Sequence, residues 1–170
     1  MSEASVAAKA AGATGSAKTY DAIVIGAGVA GLYQVYRLRE MGMSVLGIEA
    51  GSGVGGTWYW NRYPGARFDS EAEIYQYWFD EAMFKNWQPT ERFPAQPETE
   101  RWLNYVADRT DLRKYYCFDT RVTAAHYDEA GQQWRVETDR GDTVTARFLI
   151  CCTGMLSAPL TSTFPGQETF

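Results

Sequence analysis

The chain has 170 residues, a formal net charge of −5 and a sequence pI near 4.9, with 45% hydrophobic and 22% charged residues. This composition supports one buried core and excludes an intrinsically disordered chain, while the acidic balance argues against nucleic acid as a partner. No apolar run approaches the length of a membrane span, and three cysteines (Cys117, Cys151 and Cys152) make no disulfide framework.

In chain order, Met1 to Lys18 is rich in Ala, Ser and Gly and lacks the apolar centre of a signal peptide, so it reads as a flexible tail in a cytoplasmic protein. YDAIVI, Tyr20–Ile25, predicts a buried parallel strand, and GAGVAG follows it directly. Leu32, Val35, Tyr36, Leu38 and Met41 then recur at helical spacing, with Gly42 placed to close the helix. SVLGIE, Ser44–Glu49, predicts the second strand. Glycines at 51, 53, 55 and 56 lead into GGTWYWNRYPGARFD, a segment crowded with aromatics. DSEAEIYQYWFDEAMF predicts partial helix with Asp69 or Ser70 as its cap. Three prolines mark Asn86 to Pro97 as an ordered loop. A helix then starts at Pro97, with Trp102, Leu103, Val106 and Ala107 on one face.

Beyond Leu112 the period changes from helix to strand. YYCFDTRVTAAHYD, QQWRVETD and TVTARFLICC, parted by DEAG and DRGD turns, predict a β-meander, and Phe148–Cys152 is expected to rejoin the parallel sheet. TGMLSAP then turns away. The expected architecture is α/β: a Rossmann-like domain over residues 19–160 with a parallel sheet and an inserted β-meander. The tail occupies 1–18, and 161–170 is read as the start of a linker to a further domain lying outside the chain. His126 has no metal-ligand companions near it, and no metal site is expected.

The chemistry centres on Gly26-Ala-Gly28-Val-Ala-Gly31. Gly26 permits a tight turn, Gly28 lets backbone approach a pyrophosphate, and Gly31 lets helix and strand pack closely. The helix start offers free N–H groups and positive potential to phosphates. Glu49 ends the next strand eighteen residues after Gly31, where its carboxylate could accept both ribose hydroxyls of an adenosine. A carboxylate there repels a 2′-phosphate, so the ligand is FAD or NAD and not NADP. Gly55 and Gly56 suit a second close backbone approach, and Thr57 and Trp58 could lie beside a larger ring system, which favours a flavin.

GAGVAG, Glu49, GGTWYWNRYPGARFD, VADRTDLR, FDTRVTAAHYDE and CTGMLSAP together resemble the N-terminal part of Baeyer–Villiger monooxygenases, the phenylacetone and cyclohexanone enzymes most closely. The similarity runs from Tyr20 to Phe170. It implies the FAD-binding portion of an NADPH-dependent enzyme that inserts one oxygen of O2 into a small-molecule ketone through a C4a-peroxyflavin, giving an ester or lactone. By position, Gly26, Gly28, Ala30 and Gly31 would surround the FAD pyrophosphate and Glu49 would hold the ribose. Gly56, Thr57 and Trp58 would line the flavin, Tyr75 would contact it, and the backbone of Val122 would meet the adenine end. Arg67 and Asp69 fall in the family's active-site segment, and Asp69 would pair with an arginine of the NADP domain. The family's fingerprint, its NADP turn and that arginine are not found in these 170 residues, so the chain alone is expected to be inactive. Two alternatives stay open: another class B flavin monooxygenase acting on nitrogen or sulfur, and a non-catalytic flavin-binding module.

Overall fold

The computed structural model describes residues 18–157 and 163–169. The tail to residue 17 and part of the expected linker lie outside the described residues. The chain opens with strand β1 (Lys18–Ile25), helix α1 (Val29–Glu40) and strand β2 (Val45–Ile48). β1 and β2 run parallel, from Ala22 opposite Val45 to Ile25 opposite Ile48. Ala22 and Val24 face one core cluster and Ile23 the other, and all three are fully buried. This is why the strand reads as an unbroken apolar run.

On α1, Leu32 and Val35 are fully buried, with Tyr36 and Leu38 packed at the margin of the same core. Met41, expected on that stripe, is 70% exposed because the helix stops at Glu40 and Met41 is its C-cap. Gly42 follows at φ +77°, its N–H reaching Arg39 O and that of Met43 reaching Leu38 O, a Schellman closure.

Four-residue helix α2 (Thr57–Trp60) carries the aromatic segment. The region after Asp69 departs from expectation. Neither Asp69 nor Ser70 caps a helix. A 3-10 turn spans Ala72–Tyr75, an extended stretch follows, and the short helix α3 (Glu81–Asn86) is capped by Asp80, which accepts from Met83 N at 2.8 Å. Gln76 and Tyr77 are buried side by side and Tyr75 and Phe79 pack at the margin of the core, while Ile74 and Trp78 stay 72% and 71% exposed, a burial pattern with no helical stripe. Helix α4 (Gln96–Arg109) has Pro97 in its first turn and buries Trp102, Leu103, Val106 and Ala107 as expected. The loop before it is ordered by Glu98, whose buried carboxylate takes Thr90 N at 2.8 Å and the Thr90 hydroxyl at 2.5 Å.

YYCFDTRVTAAHYD is not one strand. It splits into β3 (Tyr116–Cys117), parallel to β2, and β4 (Val122–Asp128), with Asp119 at φ +51° between them. β5 (Gln133–Thr138) and β6 (Thr143–Cys151) complete a six-stranded sheet ordered β3-β2-β1-β6-β5-β4. The meander is therefore continuous with the parallel sheet. β6 pairs antiparallel with β5 over Thr143–Ala146 and parallel with β1 from Val144 onward, so it rejoins the parallel sheet earlier than Phe148. Among the described residues no helix is long and apolar enough to cross a membrane.

Candidate dinucleotide site

The crest of the parallel sheet brings four segments together. At the end of β1 the chain reverses through Gly26, at φ +104°, where an added Cβ would lie 2.4 Å from Cys152 O. Only glycine fits both constraints. Gly26 N donates to Ile48 O at 2.8 Å and Cys152 N to Ile25 O at 2.8 Å, so β2 and the exit of β6 frame the turn. α1 then begins with Gly28 as N-cap, with no side-chain cap and no acid in its first turn. Its first N–H groups are open to an anion, and Ala30 is exposed beside them.

Glu49 is 5% exposed. One carboxylate oxygen accepts from Ala27 N at 2.7 Å and the other from Gly51 N at 2.7 Å. Each oxygen keeps acceptor capacity after these bonds, and the two together fix the plane of the group. The stretch leading to Val122 passes the same residue, for Glu49 N donates to Cys117 O and Thr120 N to Glu49 O, both at 2.9 Å. Val122, half-buried, opens β4 just beyond. Gly26, Gly28, Gly31 and Glu49 thus gather where β1 and β2 end, and Val122 lies two residues beyond the Thr120 that bonds Glu49 O.

The second glycine pair meets the first. A Cβ on Gly56 would stand 2.7 Å from Gly28 Cα, and Gly55 N donates to Ala27 O at 2.9 Å. The close approach made by Gly56 is thus to the first glycine turn. Thr57 follows as the first residue of α2, and Trp58 is buried. The Trp58 indole N–H donates to the Tyr75 hydroxyl at 2.7 Å, while the Phe68 ring stacks on Tyr75 at 4.3 Å between centroids. Burial raises the Tyr75 phenol above its ordinary pKa, although the Trp58 bond opposes the shift. The side chain of Gln96 donates to Trp58 O from α4, a tether between residues 38 apart that no local pattern announces.

Arg67 and Asp69 project together from an extended segment whose alternate residues, Ala66 and Phe68, are buried. They do not pair. Arg67 donates to Glu91 at 2.8 Å and to Phe93 O at 3.0 Å, while Asp69 is exposed and makes no hydrogen bond or ion pair among the described residues. Sequence reading missed Ala27 and Gly51, which act through backbone N–H groups, and Gln96. It also missed Tyr77, whose hydroxyl donates to Val29 O at 2.5 Å and ties the Tyr75 segment to the start of α1. Cys117 and Cys151 are exposed and Cys152 is half-buried, all as free thiols.

Strand, glycine turn, uncapped helix, strand and terminal carboxylate define a Rossmann-like dinucleotide-binding domain. A family model described as an NAD(P)-binding Rossmann-like domain matches residues 24–88. Over most of its length the chain closely resembles class B flavin monooxygenases of the Baeyer–Villiger type. It is 59% identical over 155 residues to the acetone monooxygenase (methyl acetate-forming) of Gordonia sp. (strain TY-5), covering 91% of this chain and 29% of that enzyme. An oxidized steroid monooxygenase bound to NADP matches with a TM-score of 0.85 at 51% identity, over 89% of this chain and 29% of that one. A complex of OTEMO with FAD and NADP matches with a TM-score of 0.84 at 49% identity, over 91% and 29%. The chain therefore spans less than a third of the length of these relatives.

Proposed function

We propose that the chain is the FAD-binding portion of an NADPH-dependent Baeyer–Villiger monooxygenase, which uses O2 to convert a small-molecule ketone into an ester or lactone in a cytoplasmic setting. The observation that carries the reading is the Glu49 carboxylate, buried and aimed by two backbone N–H groups beside an uncapped helix start. The donor set fits FAD: a carboxylate with spare acceptor capacity for ribose hydroxyls, and a helix start free of acids for the pyrophosphate. Identity to an acetone monooxygenase supports the ketone.

In this reading the backbone of Gly26, Gly28, Ala30 and Gly31 holds the pyrophosphate, and Glu49 the ribose. The Val122 backbone borders the adenine. Gly56, Thr57 and Trp58 line the flavin side, and Tyr75 fixes the Trp58 indole there. When bound, FAD supplies the redox chemistry between NADPH and O2. Arg67 and Asp69 form the edge facing the reaction. Asp69 offers its unpaired carboxylate to a cationic side chain outside this chain, which would orient that cation towards developing negative charge.

The test has two arms. The purified chain is mixed with FAD, desalted and examined for retained flavin absorbance, then titrated. The intact parent is assayed for ketone-dependent NADPH oxidation, with the ester identified by mass spectrometry. Retained flavin that is lost in Glu49→Gln supports the reading. Absence of any titratable flavin affinity in the folded chain, or affinity indifferent to Glu49→Gln, overturns it.

A further inference from the structure

Three of the four glycines after β2 alternate along the chain, and all three meet one residue, Tyr59. A Cβ on Gly51 would lie 2.7 Å from the Tyr59 ring, one on Gly53 would lie 3.4 Å from that ring, and one on Gly55 would lie 3.1 Å from Tyr59 N and 3.2 Å from its Cβ. The Tyr59 hydroxyl accepts from Ser52 N at 3.1 Å and shares a hydrogen bond with the Ser52 hydroxyl at 2.7 Å. Tyr59 is itself held, since Arg62 donates to its carbonyl at 2.8 Å and the Trp60 ring meets it edge-on at 4.9 Å.

The glycine loop is thus folded around a tyrosine that belongs to the aromatic segment. The loop's two ends are the two fixed points of the cofactor site: Gly51, whose N–H donates to one oxygen of Glu49, and Gly55, whose N–H donates to Ala27 O. A glycine-rich loop without such a template has many backbone states of similar energy.

We infer that Tyr59 is a positioning residue for the adenosine end of the dinucleotide site: its ring and hydroxyl set the glycine loop so that Gly51 N–H orients the Glu49 carboxylate. The ring excludes a side chain at position 51 and lies in van der Waals contact with position 53, while the backbone and Cβ of Tyr59 crowd position 55. The hydroxyl latches the loop at Ser52. Tyr59 has no need to touch the cofactor and acts through Gly51 and Glu49. The inference rests on the flavin reading for its ligand, and its effect belongs to the ribose end, so it is felt by FAD and not by a flavin lacking adenosine.

The experiment compares the parent chain with Tyr59→Leu, Tyr59→Phe and Ser52→Ala by amide hydrogen exchange and by titration with FAD and FMN. In Tyr59→Leu the amides of 51–55 are expected to exchange at least about tenfold faster while those of 101–107 in α4 do not change. FAD affinity is expected to fall about tenfold with FMN affinity unchanged, and Tyr59→Phe and Ser52→Ala to lose about threefold each. Unchanged protection and FAD affinity in a folded Tyr59→Leu overturn the inference, as does an equal loss for FMN and FAD. If Tyr59→Leu does not fold, the other two variants decide on the same readouts. If the parent chain takes up no flavin, the functional reading fails while the exchange arm still decides whether Tyr59 templates the loop.

Discussion

Replacing Gly31 with alanine is expected to destabilise the fold, against the residue's intrinsic preference. Gly31 lies inside α1, where alanine is ordinarily favoured over glycine by about 1 kcal/mol. Here the added Cβ would stand 1.9 Å from Gly26 O and 2.8 Å from its carbonyl carbon. Helix and turn would have to separate by roughly 1 Å or more to reach even a tight contact. Neither yields easily. Leu32 and Val35 beside Gly31 are fully buried, and Gly26 N is bonded to Ile48 O. Overpacking against such a site costs about 1–3 kcal/mol, more when the clash is with backbone, so a net loss of about 2 kcal/mol remains after the propensity gain. For a chain of this size the melting temperature should fall by about 4–8 °C. Circular dichroism melts and urea unfolding read the change, and flavin affinity should fall with it because the widened turn carries Ala27 N–H away from Glu49. A Gly31→Ala chain that melts at or above the parent temperature would refute the packing argument.

Three further outcomes follow from the geometry. Tyr75→Phe removes the acceptor of the buried Trp58 indole and should lower unfolding free energy by about 1–2 kcal/mol, measured as a shift of the urea midpoint at constant slope. Asp69→Asn, at an exposed position without a hydrogen bond or ion pair among the described residues, should leave stability within about 0.5 kcal/mol, and under the proposed function it should lower ketone turnover in the intact parent at least about tenfold, read by product formation. The Asp21 carboxylate is held below the usual carboxylate range, first by the Ser44 hydroxyl and then by its backbone N–H. A depressed folded-state pKa contributes stability above the unfolded-state value and loses it as pH falls through the folded one. The urea midpoint should therefore drop on acidification below about pH 4, and Asp21→Asn should flatten that dependence.

The first strand, glycine turn, helix and second strand were legible because each is specified within a few residues. An apolar run, a helical stripe, a closing glycine and a carboxylate at the strand end all lie inside thirty-odd positions. What escaped was decided by distant partners. Asp119 adopts a left-handed backbone and Thr120 turns to bond Glu49 O, and together they divide what reads as one strand into β3 and β4 at opposite edges of the sheet. The region after Asp69 carries helix-compatible residues, but Gln76 and Tyr77 are buried side by side and the Tyr77 hydroxyl donates to Val29 O, a partner 48 residues away. Glu49 could be marked as a ribose candidate from its place alone. Its orientation by Ala27 and Gly51 is backbone chemistry, which leaves no residue signature.

The central strand pair joins the two most separated strands of the described chain. β1 lies against β6, with Lys18 opposite Val144 and the hydroxyl groups of Thr19 and Thr145 at 2.9 Å, across 126 residues. During synthesis β1 and β2 emerge early, yet the middle of the sheet has no completing partner until almost the whole domain has been made. Until then β1 offers one open edge of apolar strand to the cell, and that interval is when a chaperone has the most to shield.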